Sequence, residues 1–337
     1  MSPETLSVYA ARYNMSHSSK LSLDARWNLM FRELKNVVSL PTASHLTARV
    51  WRDLKLKSVV TEVRKQHLNE LMSTFPIASS VIARMVEMGW LRLIPVETQL
   101  PGTSPVKLYL LDMEASEGQL PEPWELMQGY QPDGVLCYFG AAAFHELTTQ
   151  EPSFHHIAIC QVPAPRKDAE DMPSSTVTGK SGKLRDPLGT LAFRFQGLPC
   201  YTTRRDKSLM PGIQIREYGP RTQLRITTLE QTMLDTLWKP LSCGGESVVF
   251  EAWERGMLRW NPERMAKHLT SINRQDWDRR VGAMLCLMGV EAPSGSLRTL
   301  LATRRDELRA SPNEPPLPLL PGLPGSTHLK EWGIMTP

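Results

Sequence analysis

The chain has 337 residues, of which 41% are hydrophobic and 22% charged, a composition typical of a globular protein that buries a core. Its formal net charge of +4 is too small for a histone-like protein, although it is compatible with nucleic-acid binding. The five cysteines are widely spaced and form no CxxC pair, which argues against a zinc site and against a disulfide framework.

The sequence has no sign of export or membrane insertion. The N-terminus lacks the apolar region of a signal peptide, and the longest apolar run is too short to cross a bilayer. We therefore expect a cytoplasmic protein without a membrane partner. The first 114 residues contain 14 Lys and Arg against 10 Asp and Glu, so this segment carries the whole formal excess of positive charge.

The first part of the chain has the apolar spacing of helices. After a polar, frayed segment over Met1–Lys20, this spacing predicts helices over Ser22–Val38, His45–Leu56 and Val59–Met72. The second of these helices has a basic face.

The stretch Ile77–Leu111 has the pattern of a winged helix-turn-helix. Apolar spacing predicts a helix over Ile77–Met88, ended by Gly89, with serine hydroxyls near its start that could cap it. Two β-rich runs follow, Trp90–Val96 and Val106–Leu111, joined by a turn with Pro and Gly. The alternative is a small helix and hairpin that binds nothing.

In a winged helix-turn-helix the helix enters the major groove of DNA and the wing contacts the backbone. We expect Ser79, Ser80 and Arg84 to face the major groove. Phosphate contacts are expected from the wing and from two flanking residues: Lys107, Thr103, Ser104, Lys65 and Arg92.

The acidic segment 115–132 contains prolines and predicts a linker between domains. Beyond it, strands and helices are mixed. Strands are predicted at His155–Val162, Leu191–Gln196 and Gly212–Tyr218, and a mobile loop at Pro163–Pro187. Gly134–Phe139 is predicted to be a buried strand or a strand that runs into a helix. Helices are predicted at Gly140–Leu147, Ile226–Lys239, Ser247–Arg255, Asn261–Thr270, Arg274–Met288 and Ser296–Leu308.

Two further features of the C-terminal half are predicted. The helices near its end have a basic outer face that is either solvated or a surface for a partner, formed by Arg264, Lys267, Arg274, Arg279 and Arg280. The Pro-rich tail Asn313–Pro324 is extended and pinned down by Trp332.

Catalytic chemistry is not indicated. The chain has no Gly-x-Ser-x-Gly elbow and no HExxH, and His145, His155 and His156 lack a complete ligand set nearby. A restriction-type nuclease site needs an acidic residue, any residue and then Lys, to hold a metal ion and activate water. The two matches to this motif in the chain, Glu33–Lys35 and Asp53–Lys55, lie upstream of the predicted DNA-binding helix, and the C-terminal half has none. We therefore expect a protein that is not an enzyme and has no metal or other cofactor.

Three blocks of the C-terminal half stand out. They are Asp133–Gln150, with Tyr, small residues and His-x-Leu-Thr-x-Gln, the predicted strands Phe193–Gly197 and Ile213–Tyr218, and the helix and turn Ile226–Gly245. Together these blocks resemble the AbiEi family of antitoxins. Ile226–Gly245 is similar to the family's helix and turn, with Gln231 and Lys239 where the family has Arg. The residues that match the motifs are Tyr138, His145, Glu230, Thr232, Asp235, Pro240, Gly244 and Gly245.

Two of these residues also have roles suggested by their positions. Thr227 or Thr228 is expected to cap the start of the helix, and Glu230 is placed for a capping box there. Asp235 is placed near the end of the same helix, where it could fix the turn Pro240–Gly245.

The resemblance implies an antitoxin of a type IV toxin–antitoxin system. Such a protein represses its own operon by binding operator DNA through a winged helix, and it counteracts a nucleotidyltransferase-like toxin through its C-terminal domain. The alternatives are a stand-alone transcriptional regulator with a ligand-sensing domain and a nuclease fused to a winged helix.

The expected fold class is α+β, with a helical winged helix-turn-helix domain followed by a mixed α/β domain. The predicted divisions are a helical extension over 1–57, the DNA-binding domain over 58–114, the linker over 115–132 and the C-terminal domain over 133–337.

Overall fold

The computed structural model describes residues 23–38, 46–67, 77–98, 105–111, 120–162, 188–219, 222–310 and 314–337. The predicted polar segment Met1–Lys20 and the predicted loop Pro163–Pro187 lie outside these residues, as do Thr103 and Ser104. Within the part of the chain that the structure describes, no helix is both long enough and apolar enough to cross a membrane.

The described residues mix helices and strands, and the fold is α+β overall. The helices are α1 Leu23–Val38, α2 Asp53–His67, α3 Ala78–Glu87, α4 Pro123–Tyr130, α5 Tyr138–Phe144, α6 Leu229–Trp238, α7 Glu246–Met257, α8 Pro262–Ile272, α9 Gln275–Leu287 and α10 Ser296–Ala310. The strands are β1 Val50–Arg52, β2 Leu91–Ile94, β3 Leu108–Leu111, β4 Val135–Cys137, β5 His155–Gln161, β6 Thr190–Phe195, β7 Leu198–Asp206, β8 Ile213–Tyr218, β9 Thr222–Thr227, β10 Leu317–Pro318, β11 Thr327–Leu329 and β12 Ile334–Thr336.

The N-terminal unit consists of α1, α2 and α3 with an antiparallel sheet in the order β1-β3-β2. Side chains from all three helices and from the sheet form one core, which includes Phe31, Leu34, Val60, Met85 and Leu91. Each helix contributes residues at helical spacing, so the apolar periodicity of the sequence corresponds to this core.

The predicted helix over His45–Leu56 is wrong. Val50–Arg52 is instead a strand that pairs with β3, with Val50 opposite Leu110, and α2 starts directly afterwards at Asp53. Pairing with a distant strand overrides local helix propensity here. The predicted boundary after residue 57 therefore falls inside α2, and α1 belongs to the same core as α2 and α3.

The segment predicted to be a linker contains the helix α4. Pro123 occupies its first turn, and Glu122 and Glu125 form a capping box that satisfies free N–H groups. Leu126 and Met127 are fully buried in a core that also contains Val50 from the N-terminal sheet. Prolines that suggested a linker thus mark the start of a packed helix.

The C-terminal domain is built on a six-stranded mixed sheet in the order β6-β7-β5-β4-β9-β8. The pairs β5–β7 and β4–β9 are parallel, and the other neighbours are antiparallel. Two of its strands, β7 and β9, were not predicted from the sequence. Threonine and arginine side chains occupy much of both strands, which hides the apolar alternation on which strand prediction depends.

Helices α6 to α10 form a second layer around Trp253, Met284 and Leu297. The C-terminal tail adds a small sheet in the order β10-β12-β11. The prediction that Trp332 pins this tail is confirmed, because Trp332 is 6% exposed and its ring lies against Gly282 of α9.

The prediction of a basic outer face on α9 is wrong for Arg279 and Arg280, which are both buried. Arg279 donates hydrogen bonds to the carbonyl oxygens of Trp332 and Gly333, at 3.0 and 2.7 Å. Arg280 donates to the carbonyl oxygen of Pro318 at 3.1 Å. These arginines bind the backbone of the tail and are not available to a partner.

We predict that Trp332→Ala detaches the tail sheet and lowers the free energy of unfolding by about 3 kcal/mol or more, as expected for an aromatic side chain removed from a core. Urea unfolding would measure the loss. Lys330→Ala, at an exposed position two residues away, is the control and should change the free energy of unfolding by less than about 0.5 kcal/mol. Equal effects of both substitutions would contradict this role of Trp332.

The neighbouring histidines of β5 are core residues. His155 is 4% exposed and its ring packs edge-on against Trp124, with 6.3 Å between ring centroids. Burial, together with the adjacent His156, lowers the pKa of His155 to about 4. His155 is therefore neutral in the folded protein over most of the pH range in which an unfolded histidine takes up a proton.

A base with a depressed pKa destabilises the folded state as the pH falls from the unfolded pKa towards the folded one. For His155 this amounts to about 2 kcal/mol between neutral pH and about pH 5. We predict that His155→Phe removes this part of the acid destabilisation, as measured by urea unfolding near pH 7.5 and near pH 5. The prediction fails if the wild type and the variant lose the same free energy on acidification.

Candidate functional site

Helix α3 buries one side and exposes the other. Val81, Ile82 and Met85 point into the N-terminal core. We call the side turned away from this core the outward face of α3, formed by Ser79, Ser80, Ala83, Arg84 and Glu87, with the exposed side chain of Val86 at its edge. The serines do not cap the helix as predicted, because Ile77 is the N-cap residue and makes no side-chain capping bond. Both hydroxyl-bearing side chains are exposed.

The outward face of α3 contains one ion pair. A guanidinium nitrogen of Arg84 lies 3.0 Å from a carboxylate oxygen of Glu87, and the two side chains are 51% and 63% exposed. Glu87 is not among the residues predicted from the sequence to form the site. Its spacing of three residues from Arg84 on a helix is the sequence feature that indicates the pair.

The predicted phosphate-contacting residues lie on three different elements. Lys107 is exposed and directly precedes β3, while Arg92 is half-buried on β2, opposite Leu110. Lys65 is exposed near the end of α2. Thr103 and Ser104 of the predicted wing are not among the described residues.

Glu125 of α4 connects the N-terminal unit to the C-terminal domain. Its carboxylate is 1% exposed and lies 3.3 Å from the Arg49 guanidinium, and it accepts a hydrogen bond from the Thr222 hydroxyl at 3.2 Å. Burial raises the pKa of Glu125 although these partners and the backbone N–H of Glu122 act in the opposite direction. One buried carboxylate thus holds groups from both parts of the chain.

Backbone hydrogen bonds add to this connection at two places. Glu97 and Arg194 exchange a pair of backbone hydrogen bonds at 2.9 and 2.8 Å, which joins the N-terminal unit to β6. The N–H of Gln223 in β9 donates to the carbonyl of Leu46 at 2.7 Å. The outward face of α3 is consequently held in a fixed orientation relative to the six-stranded sheet.

The strongest electrostatic feature of the C-terminal domain is a buried ion pair between Arg205 of β7 and Asp235 of α6. Two guanidinium nitrogens donate to the two carboxylate oxygens at 2.6 and 2.8 Å, and both side chains are almost fully buried. The amide of Gln231 donates to the same carboxylate at 2.9 Å. Asp235 therefore organises a strand and a helix through its side chain, where only a role in the following turn was expected.

The start of α6 differs from the predicted capping box. Thr228 is the N-cap residue and accepts from the N–H of Gln231, while the carboxylate of Glu230 accepts from the N–H of Asn261 at 2.8 Å and pairs with Arg264 at 3.3 Å. Glu230 thus stabilises the start of α8 instead of its own helix.

Thr232 and His145 tie α6 and α5 to strand β9. The hydroxyl of Thr232 donates to the carbonyl of Thr228 and lies 2.8 Å from the hydroxyl of Thr227. His145 donates from Nε2 to the carbonyl of Thr227 at 2.7 Å. Burial lowers the pKa of His145, and the guanidinium groups of Arg216 and Arg259 act in the same direction.

Tyr138 lies at the sharp turn between β4 and α5. Its φ of 59° is rare for a residue with a side chain and is maintained here by packing. The ring meets the His156 ring edge-on at 5.2 Å, and the Arg205 guanidinium lies 5.2 Å from its centroid. Tyr138 therefore packs directly against the buried ion pair.

The motif ends in a turn that requires its two glycines. Pro240 starts a 3-10 turn over Pro240–Cys243, and Gly244 and Gly245 follow with φ values of 99° and 93°. A Cβ atom on Gly244 would lie 2.8 Å from Val248 and 3.0 Å from Phe139. The resemblance to the antitoxin family therefore rests on residues that build the domain interior and its tight turn.

Among the residues that the structure describes, no group of three or more His, Cys, Asp and Glu side chains is placed to hold a metal ion. Burial raises the pKa of the Cys137, Cys200 and Cys243 thiols, in the case of Cys200 to about 12. These three cysteines are unreactive core thiols at neutral pH.

Comparison with known proteins gave a structural likeness and no match by sequence. No protein family matches the sequence, and no curated protein matches it. The fold resembles a crystal structure of the RV2827C protein from Mycobacterium tuberculosis, with 14% sequence identity, a TM-score of 0.48, and coverage of 92% of this chain and 91% of that chain.

We predict that Asp235→Leu lowers the free energy of unfolding by about 3–5 kcal/mol, because it leaves the Arg205 guanidinium buried without a counterion. The double variant Arg205→Met/Asp235→Leu should recover most of this loss, since no unpaired charge remains. Chemical denaturation of the wild type, the single variants Asp235→Leu and Arg205→Met, and the double variant would give the coupling free energy between the two residues.

The exposed pair Arg309–Asp306, with 3.2 Å between its charged groups, provides the matched control. Asp306→Leu should cost less than about 1 kcal/mol. A cost for Asp235→Leu as small as that for Asp306→Leu would contradict the importance of the buried pair.

Proposed function

We propose that this chain is a DNA-binding antitoxin that represses its own operon and counteracts a nucleotidyltransferase-like toxin. In this proposal residues 23–111 form a winged helix-turn-helix that binds double-stranded operator DNA, and the C-terminal domain acts on the toxin. The observation that carries the DNA-binding part is an exposed face on a helix that is followed directly by a β-hairpin.

The arrangement of elements supports the winged-helix assignment. The order α1-β1-α2-α3-β2-β3, with β3 between β1 and β2, is compatible with a winged helix-turn-helix and supports the proposal. The buried side of α3 packs on the core of the unit, so its outward face is free to enter a groove. The strands β2 and β3 pair with each other, and the segment between them would form the wing.

Each residue of the proposed interface has a role that follows from its chemistry. Ser79, Ser80 and Arg84 would contact base edges, and an arginine can bind guanine through two parallel hydrogen bonds. Contacts to phosphates would come from Lys107, Thr103, Ser104, Lys65 and Arg92 and would position the protein without reading sequence.

The antitoxin part of the proposal rests on the resemblance described above. The matching residues include Asp235, Thr232 and Gly244, which are interior or turn residues of the C-terminal domain. They support a shared architecture, and the surface that would act on the toxin is outside the motif. An exposed surface of the C-terminal domain is therefore where toxin-specific residues should be sought.

For DNA binding, we predict that Arg84→Ala reduces affinity for the chain's own promoter duplex by about 10- to 100-fold and relaxes sequence discrimination. Lys107→Ala should weaken binding to all sequences alike. It should also reduce by about one the number of counterions released on binding, as given by the slope of log affinity against log salt concentration. Fluorescence anisotropy over a range of salt concentrations would measure both. Lys330→Ala, a surface charge change in the tail, is the control, and unchanged affinity in both interface variants would exclude this face.

For the antitoxin activity, we predict that co-expression relieves growth arrest caused by the neighbouring toxin gene, and that the full-length variant Arg84→Ala/Lys107→Ala relieves it equally well. The full chain is needed because Val50, Ile94 and Leu108 share a core with the C-terminal domain, so truncation would expose that core. No toxicity of the neighbouring gene, or no relief by the wild type, would favour a transcriptional regulator without a toxin.

A further inference from the structure

The centre of the outward face of α3 carries a negative charge. With the buried residues Val81, Ile82 and Met85 on one side of the helix, the helical period places Ser80, Ala83 and Glu87 along the opposite side. The side chain of Glu87 is 63% exposed. A carboxylate therefore lies on the face that the proposed function directs towards DNA.

This position is unfavourable for binding to DNA of arbitrary sequence. Non-specific affinity comes from attraction between cationic side chains and phosphates, and a carboxylate facing the duplex opposes it. On the described part of the outward face, Arg84 is the single cation, and its charge is offset by Glu87 at 3.0 Å. The face has no net charge and gains little from approaching a phosphate backbone.

The pairing of Arg84 with Glu87 also orients the guanidinium. Both residues are exposed, so water screens the pair and Arg84 can leave it at small cost. In this contact the guanidinium is directed towards a neighbour on the same helix, one turn away.

We propose that Glu87 is a specificity-determining residue of the DNA-binding face, an inference that rests on the proposed function. Its carboxylate repels phosphates of non-cognate DNA and accepts a hydrogen bond from the exocyclic amino group of a cytosine in the cognate site. The orienting contact with Glu87 places Arg84 to bind a guanine close to that cytosine. The operator recognised by this helix accordingly contains a cytosine that contacts Glu87.

The test compares the full-length wild type with Glu87→Gln and with Glu254→Gln. Glu254 is exposed on α7, so its substitution makes the same change in net charge away from α3. Selection from a random duplex library with each protein would give the preferred sequence. Affinities for the selected duplex and for a random duplex, each as a function of salt concentration, would give the specificity ratio.

The expected result is that Glu87→Gln binds random duplex about tenfold more tightly at ~0.1 M salt, as expected for the removal of one opposing charge. Its specificity ratio should fall by at least this factor, and its selected sites should lose the preference for cytosine at one position. Glu254→Gln should behave like the wild type in all three measurements.

Two outcomes would overturn the inference, and they are distinguishable. A wild type that selects a sequence while Glu87→Gln retains the same ratio and the same preferred bases would overturn the role of Glu87 alone. A wild type that binds no duplex at any salt concentration would overturn the proposed DNA binding and this inference with it. Circular dichroism of the variants would establish that they are folded.

Discussion

The buried ion pair between Arg205 and Asp235 is the constraint on which the C-terminal domain depends. Charges removed from water are costly unless each one is paired and its remaining polar atoms are satisfied. Here the Asp235 carboxylate receives both guanidinium nitrogens and the Gln231 amide, and the Tyr138 ring lies against Arg205. Satisfying these groups fixes the position of β7 relative to α6. The Gln231 amide is thus one of three donor groups to a single carboxylate, and Arg205 supplies the positive charge.

The connection between the two parts of the chain has a different physical basis. Apolar residues of the N-terminal sheet, among them Val50 and Leu108, share a core with α4 and the six-stranded sheet, and Glu125 adds a buried polar link to Arg49 and Thr222. A connection of this kind does not permit free reorientation, because separation would expose apolar surface and leave a buried carboxylate without partners.

Local periodicity allowed much of this architecture to be predicted, and non-local contacts account for the rest. Helix α3 was predicted because Val81, Ile82 and Met85 recur at helical spacing within ten residues. Strand β1 was missed because its partner, β3, lies more than fifty residues away in the sequence. The burial of Arg279 could not be inferred from spacing, since an arginine that binds tail carbonyls and one that faces solvent look alike in a sequence. Within the candidate site, the helical period predicts that Ser79 and Arg84 are exposed. The Arg205–Asp235 pair joins residues of separate elements, so local spacing does not predict it.

Residues that match a family pattern and residues that select a partner occupy different parts of a protein. Residues that are recognised by a family pattern, such as Asp235, Thr232 and Gly244, are those whose replacement would disturb the interior or a tight turn. Residues that select a partner are exposed and tolerate replacement without loss of the fold, so a pattern match says little about them. The resemblance and the outward face of α3 therefore support different parts of the proposed function and can fail separately. A chain could retain the interior of an antitoxin and read a different operator through changes at Arg84 and Glu87 alone.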